Sequence, residues 1–445
     1  MLLLLAGLAP LLVQAETLAE VFDLARQNDA IIRSQEATYK ANTETRNIAR
    51  SALLPQVRLN ASKSETDIDE ELPAPGVDYD VDADKANVTA SQTLFNLEYW
   101  HNYQSGKEVA NRAEAQFRSD QQELIVRVVN AYTEVLAAID RYNTAKAEEA
   151  AFARQLDQTK QRFDVGLVAI TDVLEAQASF DSAAVNVLNS RGAVGIAFEA
   201  LDTIAGTRIN SVAPLSEEYV IKNPEPFERE EWVNKALANN AELKASEFAR
   251  EAALENAKAK RAAHFPTVSA AWQHNDNEVD SDPAQTGIDS DQENDVLAFN
   301  FQMPLFAGGG ISATRRQAWE QYNAANEQYI YAYRSTTQAA RSYHLAVVTG
   351  VARVNAQKQA LISAQSALDA TNAGYDAGTR NIVDVLNAQR ALYNAQRLWF
   401  AARYQFITDR LRLQKVSGEL DPSAIELSNQ FLMADKQIAR SEFAQ

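Results

Sequence analysis

The sequence predicts an α+β membrane protein built from two tandem repeats. Each protomer supplies four strands to a trimeric twelve-stranded β-barrel, which a long α-helical coiled-coil barrel continues. Three observations predict it. The chain matches itself at a shift of about 211 residues, and each half contains two segments that alternate apolar and polar residues. Each half then runs without proline for a distance that no compact domain can bury as helix.

The repeat comes first because every later element is read twice. A shift of 211 carries Ala25 to Ala236, Asn28 to Asn239, Glu36 to Glu247, Arg50 to Arg261, Pro55 to Pro266 and Phe95 to Phe306. At 212, Gly166 meets Gly378 and Asp172-Val173-Leu174 meets Asp384-Val385-Leu386. Register kept this far marks a tandem duplication. The expected organisation is a signal peptide over 1–15, a first repeat over 16–225, a second over 226–415 and a C-terminal equatorial segment over 416–445. Leu2 to Val13 is apolar but too short to span a bilayer, and Val13-Gln14-Ala15 offers small residues for cleavage after Ala15. The alternative is a buried N-terminal helix. Beyond residue 15 no stretch of eighteen apolar residues occurs, so no helical membrane span is expected.

Each repeat opens with an amphipathic helix, Leu18 to about Ala52 and Glu231 to about Ala263. A proline ends each helix and strict alternation follows. Val57, Leu59 and Ala61 oppose Gln56, Arg58, Asn60 and Ser62, while Leu297, Phe299, Phe301 and Met303 alternate with Ala298, Asn300 and Gln302. The period of two predicts strands at about 54–65, 85–95, 265–275 and 295–305, each about the length that crosses a bilayer when tilted.

The segments joining the strand pairs are acidic. Residues 65–85 hold nine Asp or Glu against Lys85, and 276–295 hold eight with no base, so the two account for most of the net charge of −18. They are expected to be solvated loops; the alternative is extracellular barrel loops that bind divalent cations. No EF-hand spacing is present.

After the second strand of each pair the chain is helical for very long distances. No proline falls between Pro75 and Pro214 or between Pro304 and Pro422. Asn96 to Val165 spans about 100 Å as helix. Each run breaks once, at Val165-Gly166-Leu167 and at Ala377-Gly378-Thr379, where glycine suits a left-handed cap. Asp172 with Glu175 is expected to form a capping box for the helix after the first break. Each half is therefore a strand pair and a long helical hairpin.

Four strands cannot close a barrel, and open sheet edges are not tolerated in hydrocarbon. Three copies give twelve strands, an even number within the known range. Six helical hairpins would then continue the barrel as a cylinder.

Other functions are excluded by what the sequence lacks. A net charge of −18 without a basic stripe argues against nucleic acid, and the absence of cysteine removes thiolate chemistry and lipidation at an N-terminal Cys. His101, His264, His274 and His344 form no HExxH pattern, and no GxSxG or Walker loop occurs. No metal, cofactor or catalytic residue is expected. Gly308-Gly309-Gly310 is read as a strand-to-helix joint.

The two breaks carry the most specific sequence. Gln155-Leu156-Asp157-Gln158-Thr159 leads to Arg162-Phe163 and Val165-Gly166-Leu167-Val168-Ala169-Ile170-Thr171-Asp172-Val173. Ala373-Gly374-Tyr375 leads through Gly378-Thr379-Arg380 to Ile382-Val383-Asp384-Val385-Leu386. Over essentially its whole mature length the chain resembles the TolC family of outer-membrane efflux proteins. The resemblance implies an outer-membrane exit duct, with its helical part in the periplasm, that serves efflux, type I secretion or both. It implies a homotrimer in outer-membrane lipid, opened on recruitment by a periplasmic adaptor and an inner-membrane efflux pump or ABC exporter. It also implies that the tips close the periplasmic end through Asp172 with Tyr375, and through Thr171 and Asp172 with Arg380. The plainer reading makes Asp172 a helix cap and Arg380 a surface charge. Asp384 matches an aspartate that the family projects into the lumen at its constriction. Asn387, one turn on, stands where the family's best-known member has a second aspartate, so cation selectivity should be weaker here. Val165, Gly166, Leu167, Ala377, Gly378 and Thr379 match the adaptor-docking surface. The rival from another class is a periplasmic coiled-coil scaffold with no pore, which explains the helices but not the strands.

Overall fold

The computed structural model describes residues 16–68, 79–216, 219–282, 289–429, 432–433 and 436–443. The expected signal peptide, 1–15, lies outside the described residues, as do the centres of both acidic segments at 69–78 and 283–288. The chain divides into two compact units. One holds residues 38–116 and 244–332, the other 1–37, 117–243 and 333–445.

The amphipathic segment expected as one helix in each repeat is two. Helix α1 (Leu18–Asn28) gives way to α2 (Ala30–Ser51), and α5 (Arg229–Asn239) to α6 (Ala241–Ala262). The breaks fall at Asp29 and Asn240, which the repeat makes equivalent. Each side chain caps the helix that follows: Ile32 N–H donates to Asp29 Oδ1 and Leu243 N–H to Asn240 Oδ1, both at 2.8 Å. Apolar spacing continues through the break, which is why periodicity alone concealed it. At the N-terminus Thr17 and Glu20 form a reciprocal capping box.

In the first unit β1 (Gln56–Ile68), β2 (Tyr79–Phe95), β4 (Thr267–Asp282) and β5 (Ser290–Gln302) form one antiparallel sheet in the order β1-β2-β4-β5. The strands are 13, 17, 16 and 13 residues long, longer than expected because they continue into the acidic segments. Residues 65–68, 79–85, 276–282 and 290–295 are strand and not loop, a correction to the sequence reading. Cross-strand pairing satisfies the backbone there despite the charge.

The register sorts the side chains by face. Val57, Ala90, Trp272 and Leu297 are partners across all four strands and make one apolar row. On the other face Asn60, Asn87, Asn275 and Asn294 are partners in the same way, with amide hydrogen bonds from Asn60 to Asn87 and from Asn87 to Asn275. The apolar face turns acidic farther along: Asp84 opposes Glu278, Asp82 opposes Asp280 and Asp80 opposes Asp282. Like charges in such pairs repel, and Lys63, 3.3 Å from Asp84, offsets a small part. The long helices begin beside the sheet: α3 (Leu97–Asp164) and α7 (Gly310–Asp376). Gly106 does not interrupt α3. A Cβ there would meet Ala49 Cβ at 3.0 Å and Thr45 O at 3.1 Å, so the glycine lets α2 lie close.

The second unit holds the rest of the long helices with α4 (Ile170–Ala205) and α8 (Ile382–Val416). Its core takes Val21 and Phe22 from α1, Val128 and Tyr132 from α3, Phe198 and Leu201 from α4, and Phe406 and Leu413 from α8. The repeat is visible in the packing. Gly206 and Gly418 end α4 and α8 at φ 68° and 73°, and Cβ atoms on them would lie 2.5 Å from Asn28 Cβ and from Asn239 O. The short strands β3 (Ser211–Val212) and β6 (Ile438–Ala439) pair the end of the first repeat with the C-terminal segment, and Arg440 fastens that segment to Asp202 and Glu199. Helix α9 (Ser423–Asn429) lies between α8 and β6 in the chain.

Asp29 is 3 % exposed and pairs with Arg127 at 2.9 Å. Burial raises its pKa, but the hydrogen bonds from Arg127 and the Ile32 amide outweigh burial and hold the carboxyl below its ordinary range. Asp29→Asn keeps the cap and strands Arg127. Chemical denaturation at pH 7 should show a loss on the order of 2–3 kcal/mol. Because the folded-state pKa is depressed, the wild-type advantage should be complete near neutrality and fade as pH falls below about 4. Equal stabilities of the two proteins at pH 7 would refute this role for the pair.

Candidate functional site

The two hairpin tips are built alike. At the first, Gly166 takes φ 77°, its N–H reaches Phe163 O at 2.8 Å and Leu167 N–H reaches Arg162 O at 2.9 Å. At the second, Gly378 takes φ 75°, with Gly378 N–H to Tyr375 O at 3.0 Å and Thr379 N–H to Gly374 O at 2.8 Å. Both are left-handed caps that use the orphan carbonyls of the helix before them. No Cβ would be obstructed at either glycine, so backbone conformation alone demands glycine there.

The next helices are started differently. The expected capping box of Asp172 and Glu175 is not formed. The N-cap of α4 is Ala169, whose methyl group cannot accept a cap bond, and Asp172 lies inside the first turn. There it complements the helix dipole. The box occurs in the other repeat: Asp384 N–H donates to Asn381 Oδ1 at 2.8 Å and Asn381 N–H to Asp384 Oδ2 at 3.3 Å. Asp384 therefore has a local structural role whatever else it does.

The residues expected at the gate are not paired with one another within the protomer. Tyr375 is buried at 8 % exposure, packed with Phe152, Ala183, Ile382, Val385 and Leu386, and its hydroxyl has no hydrogen-bond partner. Arg380 is largely exposed and lies 3.9 Å from Asp384. Thr171 is exposed and Asp172 half-buried, and no hydrogen bond or ion pair joins either to Tyr375 or Arg380. Asn387 is exposed and its Oδ1 accepts from Arg390 at 3.3 Å, while the same guanidinium donates to Ser179 Oγ at 2.7 Å. Val165 and Leu167 are exposed at 70 % and 73 %, and Ala377, Gly378 and Thr379 are exposed as well.

Three tip residues escaped the sequence reading: Asn381, Arg390 and Arg162. Asn381 was legible, since an Asn followed three residues later by Asp is a capping-box pattern. Arg162 lies with its guanidinium 4.5 Å from the Tyr375 ring centroid and its Nη2 2.9 Å from Asp376 Oδ1. Its signal was the repeat, which places Arg162 where the second half has Gly374. Gly374 is itself constrained, because a Cβ there would lie 2.8 Å from Arg380 Cγ.

Among the described residues no helix is long and apolar enough to cross a membrane, and no group of three His, Asp or Glu is placed to hold a metal ion. The family model for outer membrane efflux proteins matches the chain twice, over residues 21–207 and 232–419. The chain belongs to the outer membrane efflux protein family. The double match is the internal repeat seen independently. The outer membrane protein TolC of Vibrio cholerae is 35 % identical over 408 residues, covering 92 % of each chain. The alkaline protease secretion protein AprF of Pseudomonas aeruginosa is 28 % identical, covering 92 % of this chain and 86 % of its own. The crystal structure of the outer membrane protein VceC from Vibrio cholerae has the same fold, with a TM-score of 0.77 at 20 % identity over 90 % of this chain and 96 % of that one. As a member of this family the chain is an outer-membrane duct for efflux, secretion or both, a transport protein and not an enzyme.

The capping box makes a prediction. Asn381→Ala removes the bond that Asp384 N–H donates to Asn381 Oδ1, leaves the Asn381 N–H bond to Asp384, and should lower local stability by about 1 kcal/mol. Amide exchange in the first turn of α8 should accelerate while the core of α8 stays protected; unchanged exchange there would show that the box is not holding the turn.

Proposed function

We propose that three copies of this chain close a barrel through the outer membrane, and that their helical hairpins form a periplasmic tunnel gated at the tips. The observation that carries the reading is the sheet. Among the described residues its order leaves β1 and β5 each with one edge unpaired, and one face presents Val57, Leu59, Leu297, Phe299 and Phe301 at 66–71 % exposure. An apolar, edge-open sheet of four strands is unstable in water and in lipid. All neighbours are antiparallel, so β5 of one copy meets β1 of the next antiparallel and the alternation persists around twelve strands. The apolar face then lies against lipid and the asparagine face lines the lumen. The acidic ends of the strands stand beyond the hydrocarbon.

At the tips, Arg380 is free to reach Thr171 and Asp172 of a neighbouring copy, which would close the gate by charge-assisted bonds that a partner can break. Exposed Val165 and Leu167 with the Ala377-Gly378-Thr379 turn form the surface on which a periplasmic adaptor would dock. The adaptor would bring an inner-membrane pump or ABC exporter. Energy and cargo choice would belong to that pump; the efflux family match and kinship with the protease secretion protein AprF support a role in efflux, secretion or both.

Extracted from outer membranes in detergent, the protein should sediment as a trimer and give discrete single channels in planar bilayers; a folded, monodisperse monomer without conductance would end the reading. Phe299→Asp should cost about 2–4 kcal/mol of membrane insertion and deplete the outer-membrane fraction. For the constriction, Asn387→Asp alone should shift the reversal potential little, because Arg390 lies in reach to neutralise the new carboxylate. Adding Arg390→Ala should increase cation selectivity. No shift in the double variant would remove position 387 from the narrow point.

A further inference from the structure

The register of the sheet separates its charges by face. Partners across strands share a face and side-chain direction alternates along each strand. Every aspartate and glutamate within the four strands, twelve in all, therefore lies on the face that carries Val57 and Phe299. Among the described residues the opposite face holds no acid. Its rows are amides, hydroxyls and small or apolar side chains, with Arg58 and Lys85 as its charged groups. We propose that Arg58, with Lys85 in support, makes the lumen of the barrel attract anions, opposite in sign to the acidic constriction proposed at the tips. The proposal rests on the reading of the asparagine face as the lumen and assigns that lumen its charge.

Arg58 is level with Thr89 and Gln273, among the rows backed by the apolar band, so in the barrel it would stand at membrane depth. Lys85 is level with Ser62 and Asn277, about 13 Å farther along the strands, and the row of four asparagines lies between the two. Both bases are exposed, and among the described residues neither pairs with a carboxylate. Lys63 shows the contrast, since it stands on the acidic face and pairs with Asp84. Distance decides which sign the lumen feels. On β1 and β2 the first acids beyond the level of Arg58 are Glu65 and Asp84, roughly 23 and 17 Å along the strands and on the far side of the wall. Screening in about 0.1 M salt acts over about 10 Å, which removes most of their reach. Twelve tilted strands would enclose a barrel about 24 Å across between backbones, so a guanidinium that projects inward acts on most of the cross-section. Three copies each of Arg58 and Lys85 would make two cationic rings, an arrangement that draws anions into a pore. An anionic cargo slowed by acids at the tips would meet the opposite sign in the barrel.

Narrow tips would dominate a reversal potential, so the test reads the lumen locally. Because the chain has no cysteine, Asn60→Cys places one thiol per copy between the two rings, and the bond to Asn87 that it removes is long at 3.5 Å. Full-length trimers in about 0.1 M salt are treated with a sulfonate-bearing and a trimethylammonium-bearing methanethiosulfonate. The ratio of the two rates is divided by the ratio for free β-mercaptoethanol. The anionic reagent should be favoured about five-fold. Arg58→Gln or Lys85→Gln should each reduce that preference to about two-fold, and the two together should abolish it. Asp84→Asn/Glu278→Gln, which removes two charges from the other face, should leave it unchanged, and about 1 M salt should erase it. Trimer content near wild type shows that a variant is intact, and the salt dependence of Asn60→Cys alone tests the rings where a neutralised variant fails to assemble. The proposal is overturned if intact Asn60→Cys trimers show no anion preference, or if the acidic-face variant changes the preference as much as Arg58→Gln does. Channel-forming trimers in which neither reagent reacts at Asn60→Cys overturn the lumen assignment instead. A wild-type protein that forms no channel defeats the duct reading itself, a different result from a channel whose barrel shows no preference for anions.

Discussion

Backbone hydrogen bonding at two strand edges is the constraint on which the rest depends. The sheet is internally complete: every neighbouring pair is antiparallel and in register over most of its length. Its outer edges are not, and its apolar face has nothing among the described residues to bury it. In hydrocarbon each unpaired amide or carbonyl costs several kcal/mol, so the edges have to find partners of the same shape. In the proposed trimer, identical copies supply them. The proposed trimer and its lumen follow from that need.

The duplication explains how one short design reaches so far, and it also shows where the halves have parted. The Gly206 and Gly418 caps against Asn28 and Asn239, and the Gly166 and Gly378 turns, keep their geometry in both copies. These are backbone positions, where only glycine tolerates the conformation and a drifting residue is penalised at once. Side-chain positions were free to diverge. Asp29 became an ion-pair partner of Arg127 while its equivalent Asn240 stayed a neutral cap that also donates to Val416 O. At the tips the first repeat carries Arg162 and the second Arg380, on opposite sides of the turn. A symmetric core with asymmetric tips suits the proposed duct, whose wall would be regular and whose end would move.

Much of the fold was legible in the residues. Alternation at Val57, Leu59 and Ala61 and at Leu297, Phe299 and Phe301 identified strands because side-chain direction in a strand has a fixed period of two. Proline-free runs identified long helices for a similarly local reason. The acidic segments misled, since charge density argues for loops unless cross-strand pairing is known. Pairing partners such as Asp84 and Glu278 lie nearly two hundred residues apart. The helix breaks at Asp29 and Asn240 were hidden because apolar phase carried across them.

By itself, the sequence determined the repeat, the strands, the hairpins and the two glycine turns, all of which are set by neighbours a few residues away or by comparison of one half with the other. Only the tertiary structure decided which side chains share a face of the sheet and which meet at the tips. Asp384 was expected at a constriction and is also a capping residue. Tyr375 was expected to act through its hydroxyl; within the protomer its ring lies under Arg162 and that hydroxyl is unpaired. Such contacts join helices more than two hundred residues apart in the chain, and local spacing carries no information about them.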